Sequence, residues 1–266
     1  MKVLTDQLGF EHKFEAVPKR IVSLVPSQTE LLYDLGLEDS IVGITKFCVH
    51  PVHFKATKTV VGGTKNVKFD KIKALQPDII IANKEENTQE IVEQLSEICP
   101  VWVTDIYNIE DNNRMIEDFG AIFNKRTNAT KWVDKINFAL GEFEKFVADK
   151  PVKKAAYFIW ANPYMVAGGN TFINEMLKLN HFANIYEDKN GRYPEVELKK
   201  MRLEGDPDFV FLSSEPYPFK DEHAFEIGRF THHAKTVFVD GEMFSWYGSR
   251  LVKAFDYFKI LHQKIN

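Results

Sequence analysis

The chain is short of cysteine, of long apolar runs and of net charge, and each shortage removes a class of protein. Cys48 and Cys99 are the only thiols in 266 residues. Two isolated cysteines make no disulfide framework, and free thiols are expected. No apolar run reaches the roughly 20 residues that span a bilayer. The opening Met-Lys-Val-Leu-Thr-Asp-Gln-Leu lacks the apolar core of a signal peptide. Taken literally it begins a cytoplasmic protein, although a mature exported protein given a new initiator Met would read the same. A formal charge of −4 supplies no electrostatic reason to expect nucleic acid or an anionic membrane as partner. There is no low-complexity tract and no glycine-rich phosphate loop, which argues against a nucleotide fold. What remains is an ordinary globular composition, 44% apolar and 27% charged, long enough for one large domain or two small ones.

The most informative stretch is Arg20-Ile-Val-Ser-Leu-Val-Pro-Ser-Gln-Thr-Glu-Leu-Leu-Tyr-Asp-Leu-Gly36. Residues 21–25 read as a strand buried on both faces, as in a parallel sheet. Pro26 stops it. Ser27, three residues before Glu30, reads as a capping box opening a helix whose apolar face is Leu31, Leu32 and Leu35, with Gly36 at its end. The turn between strand and helix lies at the carboxyl end of the sheet, where open α/β sheets bind ligands.

Further strands are expected at 41–45, 79–82 and 101–104, with helices near 29–35, 69–75 and 88–98, the last capped by Asn87. This alternation predicts a parallel sheet with helices on both faces. From 130 to 147 the period changes. Trp132, Ile136, Ala139, Leu140, Phe143, Phe146 and Val147 form one stripe. With its flanks this helix runs about 25 residues, on the order of 37 Å. Strands then resume at 155–160, 165–167, 209–212 and 237–239. A helix–Pro-Asp–strand unit occurs on each side of the long helix, at 69–81 and at 198–211. The repeat predicts two similar α/β lobes: an N-terminal lobe at 1–123, a backbone helix at 124–150 and a C-terminal lobe at 151–266.

Several loops fall at strand ends. Cys48, His50 and His53 follow the second strand. Their spacing is not a standard zinc pattern, so loop or cap residues are the simpler reading, with His50 left as a weak candidate to coordinate the metal of a bound chelate. Gly63, Thr64, Lys65 and Asn66 form a turn whose paired glycines, Gly62 and Gly63, allow close backbone approach. Glu85 and Glu86 lie beside a helix start, as the helix dipole favours, and are also readable as a paired-carboxylate site. Trp160, Tyr164, Tyr217, Trp246 and Tyr247 sit on loops rather than core stripes. That placement suits a flat, partly apolar ligand.

These segments, above all 20–36, the block from Gly62 to Ala82 and 168–177, resemble class III solute-binding proteins, the helical-backbone receptors for cobalamin, haem and ferric siderophores that serve ABC importers. The cobalamin-receptor branch is the most similar, and the resemblance runs from about residue 6 to residue 261. It implies two lobes joined by a helix that resists hinge motion, with a ligand cleft between them. It also implies a periplasmic or envelope location, a monomer, no intrinsic cofactor and no enzyme activity. The favoured ligand is a corrinoid, with haem and a ferric siderophore as alternatives. The family's cleft positions carry over to Phe47 and His50, to Gly63, Thr64, Lys65 and Asn66, to Trp160 and Tyr164, and to Trp246, Tyr247 and Arg250. A cobalamin receptor has a Trp in the turn that here reads Thr64-Lys65-Asn66. Docking onto a permease uses one acid per lobe. Asp70 matches in the first, whereas the second presents Lys199 or Lys200, with Glu197 just upstream, which leaves open a soluble relative that serves no transporter. Two other readings stay open: a tetrapyrrole chelatase using His50, His53, Glu85 and Glu86 as proton acceptors, and an interaction module with a vestigial cleft.

Overall fold

Apolar runs punctuated by proline and glycine set the strands, and a computed structural model describing residues 2–265 shows how they pair. The chain divides into two compact units. The first holds the residues up to Asn137 together with Tyr247–Arg250, and the second holds Phe138–Trp246 and the residues from Leu251 onward. Tyr247–Arg250, late in the chain, thus belong with the first unit.

The first unit opens with an antiparallel hairpin, β1 (Lys2–Thr5) and β2 (Glu11–Phe14), which the sequence reading missed. Then follow β3 (Ile21–Ser23), α1 (Pro26–Asp34), β4 (Ile41–Ile44), α2 (Phe54–Thr57), β5 (Thr59–Val60), α3 (Phe69–Ala74), β6 (Ile79–Asn83), α4 (Gln89–Ser96), β7 (Val101–Thr104), α5 (Ile109–Ile122) and α6 (Arg126–Val147). Five strands form one parallel sheet in the order β5-β4-β3-β6-β7. The chain winds outward from β3 in one direction, then returns beside it as β6. That reversal opens a crevice at the carboxyl ends of β3 and β6.

The second unit repeats the plan with β8 (Lys153–Trp160), β9 (Met165–Val166), α7 (Phe172–Leu179), β10 (Phe182–Asn184), α8 (Met201–Glu204), β11 (Phe209–Ser213), α9 (Asp221–Gly228), β12 (Lys235–Val239), α10 (Gly241–Ser245) and α11 (Leu251–Ile265). Its sheet order is β10-β8-β11-β12, with the short β9 antiparallel on β8. The reversal falls between β8 and β11. Tyr157, Phe158, Phe211 and Phe244 are fully buried in its core.

The duplicated Pro-Asp turn has a structural purpose. Asp78 accepts the backbone N–H groups of Lys19 (2.8 Å) and Arg20 (3.0 Å), just before β3. Asp208 accepts the N–H of Lys154 on β8 at 2.8 Å. In each unit proline ends the helix, and the aspartate clips the incoming strand to its neighbour at the switch point. Both carboxylates thus act across strands rather than within their own turns.

Two helix starts also differ from expectation. The first strand stops at Ser23, and α1 begins at Pro26 with Val25 as a cap that makes no side-chain bond. Proline's fixed φ and missing N–H suit that first turn, so no capping box forms between Ser27 and Glu30. Helix α4 is capped by Thr88, whose hydroxyl accepts from Ile91 N–H. Asn87, the expected cap, is engaged elsewhere. The long helix α6 has 22 residues and carries the chain from one unit to the other between Asn137 and Phe138. Ile136, Phe143 and Val147 of its predicted stripe are buried.

Candidate functional site

At the carboxyl edge of the first sheet, strands that are apolar along their length end in amides and hydroxyls. Asn83, at the end of β6, donates from its side chain to the Thr104 carbonyl and hydroxyl, both at 3.1 Å, while its own Oδ1 accepts from Glu85 N–H at 2.9 Å. Asn87 Oδ1 accepts Asn83 N–H (2.9 Å), and its Nδ2 donates to the Thr64 carbonyl (2.8 Å). Asn87 thereby ties the loop after β6 to the turn after β5. That turn is closed by Gly63 N–H donating to Asn66 O at 2.8 Å. Lys65 Nζ reaches the Glu85 carbonyl at 3.0 Å. Phe47 lies against the same turn. A Cβ on Gly63 would stand 3.2 Å from its ring, so glycine is what lets the ring approach. Phe47 remains 49% exposed, with Lys46 Nζ 4.9 Å from its ring centroid.

The predicted residues Phe47, Gly63, Thr64, Lys65 and Asn66 thus come together on one rim, joined by Glu85 and Glu86. Burial and the adjacent Glu85 charge push the Glu86 carboxyl above the usual range, against the pull of Lys65 and a hydrogen bond from Thr64. Cys48, His50 and His53 do not converge. Cys48 is buried with its sulfur 3.1 Å from Thr29 Oγ1 and 3.2 Å from Thr45 Oγ1, and burial raises its pKa. His53 turns to Glu38 (2.7 Å) and packs edge-on to Tyr33 and Phe54. His50 is half-buried before Pro51. Among the described residues no group of three or more His, Cys, Asp or Glu side chains is placed to hold a metal ion.

Tyr247 and Arg250, expected on a ligand loop, are instead built into the first unit. Gln28 Nε2 donates to Tyr247 Oη (3.1 Å) and to Thr104 Oγ1 (2.6 Å). Gly248 N–H donates to Asn112 Oδ1 at 2.6 Å, and Ser249 Oγ to Asp34 Oδ2 at 2.5 Å. Arg250 grips Glu30 with two bonds, 2.8 and 3.0 Å, both side chains being nearly inaccessible. Arg250 is 4% exposed. Its guanidinium neutralises a buried carboxylate, which corrects the expected ligand role.

The second unit finishes its switch point with rings. Trp160 ends β8 and is 40% exposed. Tyr217, on the loop after β11, meets it edge-on with centroids 5.3 Å apart. Behind Tyr217 stand Phe219 (5.0 Å) and His223 (5.3 Å). Tyr164 turns to α9: its hydroxyl donates to Glu226 at 2.6 Å, and its ring meets Phe158. Trp246 is only 7% exposed and donates from Nε1 to Glu215 Oε1 at 2.8 Å. It packs as a core residue, contrary to its reading as a loop aromatic. Burial raises the Glu215 pKa, while the bonds from Trp246 and Ser245 oppose the shift. Gly241 makes this fit: a Cβ there would stand 2.5 Å from Ser213 Oγ.

Asp70 is exposed in the first turn of α3. It borders a groove of about 800 Å³ lined also by Phe69, Lys73, Gln94 and Glu97, at the amino-terminal end of the sheet and so away from the loops above. In the second unit Lys199 and Lys200 are exposed in a 3₁₀ turn, and Lys200 pairs with Glu197 at 2.6 Å. Sequence reasoning gave no site role to Asn83, Asn87, Thr104, Gln28, Glu215 or His223. For Asn83, Thr104 and Ser213 a signal was available, a single polar residue closing an otherwise apolar strand.

Two open α/β sheets in one chain, each with a switch-point crevice edged by partly exposed side chains, define a ligand-binding protein of the α/β class. The chain matches the periplasmic binding protein family over residues 21–232 and belongs to it. It is 28% identical over 248 residues to an uncharacterized ABC transporter substrate-binding lipoprotein, YvrC, of Bacillus subtilis, covering 89% of this chain and 77% of the relative. It is 24% identical over 247 residues to the vitamin B12-binding protein of Pectobacterium atrosepticum, covering 90% and 86% respectively. A crystal structure of a periplasmic haem-binding protein from Pseudomonas aeruginosa superimposes with a TM-score of 0.80 at 19% identity, covering 92% of each chain. Among the described residues no helix is long and apolar enough to cross a membrane.

Proposed function

We propose that the chain is the chelate-binding component of an ABC importer, with a corrinoid as the favoured ligand and haem or a ferric siderophore as alternatives. The observation that carries this reading is the aromatic pair Trp160–Tyr217 at the switch point of the second unit. A half-exposed indole beside a phenol offers a flat apolar surface with a hydrogen-bonding tip, as a macrocycle with polar substituents requires. In the first unit Phe47 and the turn at 63–66 supply a second such rim, where Lys65 and the half-buried Glu86 add polar contacts. The vitamin B12-binding relative supports a corrinoid, and the lipoprotein relative supports an envelope location and a membrane permease as partner. Asp70, exposed beside its groove, is the proposed acidic contact to that permease.

The test is a visible absorption spectrum of the protein exposed in turn to cyanocobalamin, haemin and a ferric siderophore, then freed of unbound ligand. Retained absorbance of one chelate is expected. Retention of none overturns the reading, and metal insertion into a free porphyrin or corrin would move it to the chelatase class.

A further inference from the structure

We propose that Tyr217 is the hydrogen-bond donor with which the second unit reads an acceptor atom at the edge of its ligand, and that His223 is the residue that sets it in that role. The proposal rests on the chelate-binding reading above and deepens it. The backbone N–H of Lys220 donates to His223 Nδ1 at 3.0 Å. A backbone amide only donates, so Nδ1 carries a lone pair and the proton of the neutral ring is on Nε2. Nε2 lies 3.0 Å from Tyr217 Oη. The imidazole N–H therefore donates to the phenol oxygen. The reverse assignment would set an Nδ1–H against the Lys220 N–H.

A phenol O–H lies near the plane of its ring and has two favoured directions. The imidazole occupies the oxygen's lone pair on one side, so the hydroxyl proton points to the other. Among the described residues no acceptor takes that proton. The ring itself has little freedom, held edge-on by Trp160 at 5.3 Å and by Phe219 at 5.0 Å. His223 is buried and sits in the first turn of α9, a rigid support. A flat ligand lying against Trp160 brings its rim to the phenol, and the group that this donor selects is a carbonyl or carboxylate oxygen. Amide side groups of a corrinoid and carboxylates of haem both carry that chemistry.

Two substitutions separate positioning from structure. His223→Asn keeps an acceptor near Nδ1 for the Lys220 amide but has nothing to donate to Tyr217. His223→Gln places an amide N–H near Nε2 and gives up the acceptor. Nitrogen-15 NMR of the ligand-free protein should show His223 as the Nε2–H tautomer, and an Nδ1–H tautomer overturns the proposal. In titrations with cyanocobalamin and with haemin, Tyr217→Phe and His223→Asn should each weaken the retained probe by about tenfold. His223→Asn should melt like the wild type, and His223→Gln should bind nearly as well as the wild type even if it melts lower. Equal binding by His223→Asn and wild type overturns the positioning role, as does equal binding by Tyr217→Phe. A wild type that binds neither probe overturns the chelate reading and the ligand half of this proposal with it. The tautomer then stands or falls by its own measurement.

Discussion

The two units reverse their winding at equivalent points, between β3 and β6 in the first and between β8 and β11 in the second, yet they finish those points with different chemistry. The first closes its crevice with amides: Asn83 and Asn87 bind the loop after β6 to the turn after β5, and Gln28 links β7 to Tyr247. The second closes its crevice with rings, and its partly buried carboxylate Glu215 is held by an indole N–H. Directional bonds fix the position of a backbone loop, whereas stacked rings fix a surface and leave part of it open. The same topology thus yields a polar rim in one unit and an aromatic face in the other.

The largest effect expected is on the first unit. Arg250→Ala leaves Glu30 charged and buried, and loss of one partner from such a pair typically costs about 3–5 kcal/mol. Chemical denaturation should show it. A double variant replacing Glu30 and Arg250 by apolar residues should recover much of that loss, and no recovery would mean that packing rather than charge decides the cost.

The aromatic residues of the second unit should split into two kinds. Trp246→Ala is expected to lower stability by about 3 kcal/mol, since it empties a packed site and strips Glu215 of its donor. Trp160→Ala should leave the melting temperature nearly unchanged and weaken chelate binding by about 2 kcal/mol, roughly thirtyfold. If both variants behave alike in melting and titration, the division between core ring and ligand ring is wrong.

On the polar side, Asn87→Ala removes bonds to Asn83 N–H and the Thr64 carbonyl, both buried, at a cost of about 1–3 kcal/mol. Hydrogen exchange should speed in the turn at 63–66 and not at β8. Uniform loss of protection would show that the network supports the whole sheet rather than its rim.

Individual carboxylates should also respond oppositely to pH, and Asp118 set against Asp206 and Asp208 is the clearest contrast. In the first unit, burial pushes the Asp118 carboxyl up to about 6, with Glu117 and Asp6 adding and Arg114 opposing. Its folded form binds the proton more tightly than the unfolded chain, so stability falls as pH rises from about 4 to about 6. Asp118→Asn should flatten that slope and gain about 1–2 kcal/mol at neutral pH. In the second unit the pKa of Asp206 is depressed by its bonds to His232. For Asp208 burial acts upward, but the Lys154 amide and His233 outweigh it. Stability from these groups is present above the ordinary carboxylate range and is lost as pH falls through their depressed values. Denaturation from pH 3 to pH 7, compared between wild type, Asp118→Asn and Asp206→Asn, should show the two slopes separately.

The smallest effect on folding concerns the exposed lysines. Lys199→Glu and Lys200→Glu should change stability by under about 0.5 kcal/mol, with Lys200→Glu also giving up the contact to Glu197. Aligning the buried Ile72 with Met201 sets Asp70 opposite Lys199, whereas aligning the two Pro-Asp turns sets it opposite Lys200; the extra residue is taken up near Gly205. Against a permease that presents arginines, the correct position is the one whose acidic variant strengthens docking. If neither does, the second unit does not use this turn.

Local sequence determined most of the sheet strands, the long helix, both Pro-Asp turns and the loops at 47, 63–66 and 217, because apolar period and turn chemistry depend on near neighbours. It did not determine which polar and aromatic side chains would be sealed in. Glu30 looked like half of a capping box, and its partner is Arg250, 220 residues away. Asn87 looked like a helix cap, and it binds the turn after another strand. Trp246 and Trp160 were alike as loop aromatics, yet one fills a core against Glu215 and the other faces solvent. Burial and hydrogen-bond pairing belong to the assembled fold, since a side chain's environment is set by segments that the chain brings to it from far along its length.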